Sequence, residues 1–193
     1  MDLLTWGGVL LALLVGIAWY LSYSAARLDR LHARVEGALS ALDAQLVRRA
    51  EATLELANSG ALDPASALIL AAAATESLEA HNGRVGDDLL EGQHFAGREV
   101  VESDLTEALL VALAPPVSEQ VREAPGSTGE AALARVEAAG LRVQLARRFH
   151  NDAVKDVQRV RRKWVVRWFR LAGYAELPQT IEFDDALPGS ERT

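Results

Sequence analysis

The chain has 193 residues, half of them hydrophobic, and a formal net charge of −7. That acidic balance argues against nucleic-acid binding, which needs a basic face, and the lack of any Cys excludes disulfides, thiol catalysis and thiolate metal sites. Ala and Leu dominate the apolar content and β-branched residues are sparse, which favours an all-α fold.

Residues 3–26, LLTWGGVLLALLVGIAWYLSYSAA, carry no charge. A bilayer core of about 30 Å needs roughly 20 apolar helical residues, and a helix satisfies its own backbone groups in lipid. Trp6 stands near one end of the run, with Trp19, Tyr20 and Tyr23 near the other, where rings at headgroup level are expected. Residues 1–26 are therefore read as a transmembrane anchor. The other reading is a cleaved secretory signal: Ser24-Ala25-Ala26 has the character of a cleavage site, but Met1-Asp2 is not a basic n-region and the apolar run is long. Arg27, Arg30 and Arg34 follow the run and no basic residue precedes it, which puts the N-terminus outside and the remainder on the cytoplasmic side. Gly8, Ala12 and Gly16 share one helix face, where small residues let backbones approach and favour a homo-oligomer.

Over residues 28–57 an apolar stripe of Leu28, Leu31, Val35, Leu39, Leu42, Leu46 and Leu54 predicts a helix continuous with the anchor, a rod of about 80 Å. Asn58-Ser59-Gly60 ends it. Asp63-Pro64 starts a second helix running to about Ala80, with Asp as cap and Pro at the first helical position. Gly83, Gly86, Gly92 and Gly97 mark 81–97 as a loop. A third helix spans about Arg98 to Leu113, with Val101, Leu105, Leu109 and Leu113 at i+4 spacing, and Pro115-Pro116 stops it. Val117 to Gly129 reads as a flexible connection. A fourth helix runs from about Glu130 to Ala172, its apolar positions being Leu133, Val136, Leu141, Leu145, Phe149, Ala153, Val157 and Val160, weakened at Gly140. Short connections make an antiparallel, up-down four-helix bundle over 27–172 the simplest packing. The acidic, Pro-bearing tail 173–193 is expected to be disordered.

Two stretches carry a family resemblance. ARLDRLHARVEGALSALDAQLVRRAE (26–51) contains a D-x-Q-L-x-R-R segment, Asp43, Gln45, Leu46, Arg48 and Arg49, and RVQLARRFHNDAVKDVQ (142–158) contains Ala146, Arg147, Arg148, Asn151, Ala153 and Val154. Both resemble motifs of the LemA family of bacterial membrane-associated helical proteins, and the order of elements along the chain is similar. His150 stands where that family usually has Tyr, and Gln158 and Arg162-Lys163 replace an Asn and a Phe-Pro pair, the pattern of a diverged member. The resemblance implies an antiparallel bundle on one N-terminal anchor in a bacterial membrane, and no particular reaction. Only two of the twenty basic residues are Lys, which with the high Ala content fits a GC-rich bacterial genome.

Between Arg142 and Arg170 lie ten of the twenty basic residues, against Asp152 and Asp156. Arg161, Arg162, Lys163, Arg167 and Arg170 interleave with Trp164, Trp168 and Phe169. In an up-down bundle this end returns towards the membrane, where cations are drawn to anionic lipid and Trp to the interface. Docking there would hold the bundle to the membrane at two points. Asp43, Gln45, Arg48 and Arg49 on the first helix and Arg147, Arg148, Asn151 and Asp152 on the last are expected to pair across the bundle surface and fix its register, each exposed pair contributing about 0–1 kcal/mol.

No His-Glu-x-x-His, phosphate loop or nucleophile elbow occurs. The expected function is a non-catalytic scaffold or adaptor without cofactor, with anionic lipid and an unidentified membrane or cytoplasmic protein as partners. The alternative is a membrane-tethered enzyme or metal-dependent protein using the His- and Gly-bearing loop 81–99, with His81, Asp87, Asp88, His94 and Glu99.

Overall fold

The computed structural model describes residues 3–85, 95, 97–124, 126–169 and 177–188, and among these every regular element is helical. The elements are α1 (Leu3–Asn58), α2 (Pro64–Val85), α3 (Arg98–Ala112), α4 (Pro115–Arg122), α5 (Thr128–Arg161) and α6 (Trp164–Trp168). The chain divides into two compact units: Met1–Gly37 with Asp152–Gln179, and Ala38–Asn151 with Thr180–Thr193.

Local chemistry sets the helix ends. Ser59 closes α1 by donating from its backbone N and Oγ to the Leu56 carbonyl, at 3.1 and 2.7 Å, and Gly60 follows at φ 75°, where a side chain would be strained. Asp63 caps α2 by accepting from the backbone N–H groups of Ala65 (3.0 Å) and Ser66 (3.1 Å). Hydrogen bonds from the Ser66 side chain and backbone hold the Asp63 carboxyl below the ordinary aspartate range.

Several sequence expectations are corrected. Pro115-Pro116 not only stops α3 but opens α4, where Pro fits the first helical positions. Val121 of α4 is buried and Val117, one turn earlier, packs on the same core, so this segment is not a flexible connection. The last long helix stops at Arg161, and α6 begins at Trp164 after a tight turn in which Lys163 donates to the Val160 carbonyl at 3.1 Å. Val160 and Val166 are both buried, yet six residues apart they would face different sides of a straight helix at about 3.6 residues per turn. Within the tail expected to be disordered, residues 177–188 form a segment without regular secondary structure in which Ile181 and Phe183 are buried, and residues 173–176 and 189–193 lie outside the described ones. The loop expected over 81–97 begins later than Gly83, since α2 continues to Val85, and residues 86–94 lie outside the described ones.

In the unit built on Ala38–Asn151, one core joins Leu56 of α1, Leu70 and Ala74 of α2, Leu105 and Leu109 of α3, Val121 of α4, and Leu133 and Val136 of α5. Burying each Leu contributes about 1.5–3 kcal/mol. A second cluster brings Leu42 and Leu46 of α1 and Val143 of α5 against Ile181 and Phe183 of the tail. In the unit built on Met1–Gly37 and Asp152–Gln179, Leu28, Val35, Val154 and Val157 are buried, and Arg34 pairs with Asp156 at 3.8 Å.

The buried face of α5 differs from the expected one. Leu141, Leu145 and Phe149 are exposed, at 51, 51 and 63%. The inward positions instead follow a heptad: Leu133, Val136, Gly140, Val143, Arg147, His150, Val154 and Val157, buried except for the half-buried Arg147. Larger apolar side chains drew the reading to the neighbouring face. The seam runs through a Gly, an Arg and a His, and in two of those places the tail supplies the reason. A Cβ built on Gly140 would lie 2.5 Å from Leu187 Cδ2, and Arg147 binds the tail directly.

Candidate functional site

Two polar clusters and one pair of exposed apolar segments account for the residues singled out in the sequence. The first cluster is a buried charge network. Glu102 of α3 is fully buried; its Oε1 accepts from Arg98 Nε (3.0 Å) and Ser77 Oγ (2.9 Å), and its Oε2 accepts from Arg49 Nη2 (2.8 Å). Arg49 Nη2 also donates to the Glu102 carbonyl at 3.0 Å, and Nη1 to Thr106 Oγ1 at 3.0 Å. Arg98 Nη1 pairs with Asp43 Oδ1, while Asp43 Oδ2 lies 3.0 Å from His81 Nδ1. Two guanidinium groups thus face two carboxylates, as buried charge requires. Arg49 Nε and Arg98 Nη2 are buried without an acceptor among the described residues. The Glu102 carboxylate accepts from three donors, two on Oε1 and one on Oε2.

Sequence reasoning found Asp43 and Arg49 but missed Arg98, Glu102, Ser77 and Thr106. A signal was there. Arg98 and Glu102 extend the buried stripe of Leu105, Leu109 and Leu113 backwards at helical spacing, and two opposite charges on an apolar face predict each other. Gln45 and Arg48 do not join the network. Gln45 is half-buried, its Oε1 without a donor among the described residues, and Arg48 lines a surface cleft with Glu51, Arg135 and Arg142.

The second cluster holds the tail. Asn151 Nδ2 donates to the Ile181 carbonyl at 3.0 Å, and Asn151 Oδ1 accepts from the Ile181 backbone N at 2.9 Å. Arg147 grips the Asp185 carboxylate through Nε (2.8 Å) and Nη2 (3.0 Å) and reaches Glu182 through Nη1 at 3.2 Å. From α3, Glu99 Oε1 accepts from the Glu182 backbone N at 2.9 Å, and Ser103 Oγ from the Asp184 backbone N at 3.1 Å. The Thr106 hydroxyl lies 2.7 Å from the Asp184 carbonyl and 2.9 Å from that of Glu102, so its one hydrogen serves one of them at a time. Phe183 stacks on Phe95 with centroids 6.3 Å apart; Arg147 lies 5.5 Å from the Phe183 ring and Arg98 5.7 Å from the Phe95 ring. The result is a column of cation, ring, ring, cation.

The surface pairing expected between the two motif stretches is therefore replaced. Asp43 and Arg49 bind α2 and α3, Arg147 and Asn151 bind the tail, and Arg148 is exposed. Val154 is a core residue. An ion pair between Glu55 and Arg135, at 2.5 Å on the surface, joins α1 to α5 in this unit. His81 and Glu99, two residues of the proposed catalytic loop, are engaged with Asp43 and the tail; Asp87, Asp88 and His94 lie outside the described residues. Among the described residues no group of three or more His, Asp and Glu could hold a metal ion.

The apolar segments lie in the other unit. α1 is long and apolar enough to cross a membrane by length and composition, and its apolar window buries nothing within the chain. Trp6, Trp19, Tyr20 and Tyr23 are exposed, Trp19 at 79%. A Cβ added at Gly8 or Gly16 meets nothing within 4 Å, so among the described residues nothing covers the small-residue face with Ala12. Arg162, Lys163, Trp164, Trp168 and Phe169 are exposed, and the two Trp rings meet edge-on at 6.4 Å. Arg161 is half-buried, and Arg170 lies outside the described residues.

Comparison with protein-family models, with curated proteins and with solved structures finds no match to this chain.

Proposed function

We propose that the protein is a single-pass membrane protein whose helical domain works as a non-catalytic adaptor on the cytoplasmic face of a bacterial membrane, binding anionic lipid and protein partners. One observation carries this reading: every described side chain from Trp6 to Tyr20 is exposed and uncharged. In water such a surface is unfavourable by about 25 cal/mol per Å² of apolar area, whereas in lipid it is at home. The Arg residues after the run support the orientation. The resemblance to the LemA family, and with it an antiparallel four-helix arrangement, belongs to the same proposal. So does docking of the 161–170 segment on the leaflet, where each cation near anionic lipid contributes about 1 kcal/mol.

The test uses the full chain in vesicles. With Trp6→Phe and Trp19→Phe, the remaining Trp164 and Trp168 report alone. Lipid brominated near the headgroup should quench them in anionic vesicles but not in zwitterionic ones. Substituting Arg161, Arg162 and Lys163 by Glu should remove the quenching; quenching unchanged by that triple substitution counts against docking. Alkaline carbonate should leave the wild-type chain in the membrane pellet, and release into the supernatant would remove the anchor from the reading.

A further inference from the structure

We propose that the groove between α3 and α5 in the unit built on Ala38–Asn151 is a binding site for an extended acidic peptide of a partner protein, and that the chain's own residues 180–188 occupy it as a displaceable stand-in. The proposal rests on the adaptor half of the preceding reading and is independent of the lipid-docking half.

The way the groove holds its occupant is the ground for this. An interior segment is ordinarily held by apolar packing and by backbone bonds to regular structure. Here the backbone of a segment outside any helix is read by side chains. The carboxamide of Asn151 both donates to and accepts from residue 181, as a neighbouring β-strand would. Ser103 and Thr106 take the N–H and C=O of residue 184, and Gln144 Nε2 donates to the carbonyl of residue 185 at 2.7 Å. Backbone contacts of this kind bind any extended chain.

Side-chain selectivity is layered on that frame at alternate positions, the period of an extended chain. Ile181 and Phe183 enter the apolar cluster of Leu42, Leu46 and Val143. The Phe183 ring is held between Phe95 and the Arg147 guanidinium, and Arg147 forks onto the carboxylate at 185. The sequence this groove selects is therefore an aliphatic residue, an aromatic two places on, and a carboxylate two further. An acidic segment is complementary because Arg147 and Arg98 line the aromatic slot from both ends.

The tail's carboxylates contribute unequally to its retention: Glu182 meets Arg147 Nη1 and Asn151 Nδ2 at 3.2 Å, whereas Asp184 Oδ1 accepts from the Ala186 backbone N within the tail itself. Glu182 and Asp184 are exposed, and only Asp185 is gripped bidentately. The occupant thus holds on through the Arg147 ion pairs with Asp185 and Glu182, the buried side chains of Ile181 and Phe183, and a set of exchangeable backbone bonds, which a partner segment of the same pattern reproduces. Cis occupation weakens such a partner by the fraction of time the groove is open.

The test is made on the full chain in detergent micelles, with a fluorescent peptide of residues 180–188 as probe. Phe183→Ala with Asp185→Ala should free the groove. The peptide should then bind saturably to this variant and at least about tenfold more weakly to the wild type, whose own tail competes. Adding Arg147→Ala to the variant should abolish binding. A helical double variant that does not bind the peptide, or equal binding to wild type, overturns the proposal. Dimerisation of the wild type that is lost in the double variant would give the groove to a second copy's tail, and overturns it too. Hydrogen exchange on the wild type decides the matter should the variant not fold. The amides of Ile181, Glu182, Asp184 and Ala186 should exchange together and faster than those of α5; exchange only with global unfolding makes the tail a fixed part of the core and overturns the idea. Loss of bromolipid quenching would leave all these outcomes unchanged, and the converse holds.

Discussion

The two units of this chain handle polarity in opposite ways. The one built on Ala38–Asn151 buries charge: Arg49, Arg98 and Glu102 are 2, 1 and 0% exposed. The one that contains Met1–Gly37 exposes oil, with Trp6, Leu11, Trp19 and Tyr23 all more than half exposed. Each arrangement is unfavourable by itself in water, and each names what must offset it. Buried charge needs a partner of opposite sign with donors in place, and the Glu102 carboxylate has three. Exposed apolar surface needs a different solvent. The first demand is met inside the molecule and fixes how α1, α2 and α3 pack; the second points outside it.

The sharpest way to break the contrast is to remove the central carboxylate. Glu102→Ala leaves two buried guanidinium groups facing one half-buried acid, and should destabilise the helical domain by about 3–5 kcal/mol. Thermal unfolding followed by circular dichroism in micelles reads this directly. An unchanged midpoint would mean that the network is solvated and that charge is not buried there. The matching change in the other unit is Leu14→Arg, at a position 54% exposed. It should disfavour membrane insertion by about 2.5–3.5 kcal/mol on the insertion scale, lowering the fraction retained after carbonate extraction. The same substitution should leave the unfolding midpoint of the helical domain unmoved. A falling midpoint with unaltered retention would reverse the assignment of solvent to that segment.

A finer comparison separates buried from exposed Arg within one helix. Arg147 and Asp185 are 19 and 14% exposed, whereas Arg135 and Glu55 are 51 and 53% exposed. Truncating Arg147 to Ala should be destabilising by about 2 kcal/mol, because a charged hydrogen-bond pair largely screened from water is lost. Truncating Arg135 should change stability by less than about 1 kcal/mol and the more so as salt rises. Equal effects would show that the tail grip is no stronger than an ordinary surface pair.

Much of this was legible in the chain. The uncharged run, the end of α1 at Asn58-Ser59-Gly60 and the start of α2 at Asp63-Pro64 depend on neighbours within a turn or two, and the structure has them where the residues ask for them. Asp43 and Arg49 stand out in the sequence, but the expected surface pairing with the last helix gives way to partners on α2 and α3. Arg49 meets Thr106 across 57 residues, and Asn151 meets Ile181 across 30, so no periodicity within one element signals either pair. The seam of α5 was misplaced for the same reason. Leu141, Leu145 and Phe149 outweigh Gly140, Arg147 and His150 on any hydropathy reading.

What the sequence by itself determined is therefore the helical class, the apolar segment and the boundaries set by local caps, such as the end of α1 and the start of α2, because helix formation and bilayer matching are governed by residues near in the chain. What only the tertiary structure decided is which charges are buried, which face of α5 turns inward and where residues 180–188 lie. Those depend on partners brought together from α1, α2, α3 and the tail. A Gly at 140 and an Arg at 147 look like defects in a helix until Leu187 and Asp185 are set against them.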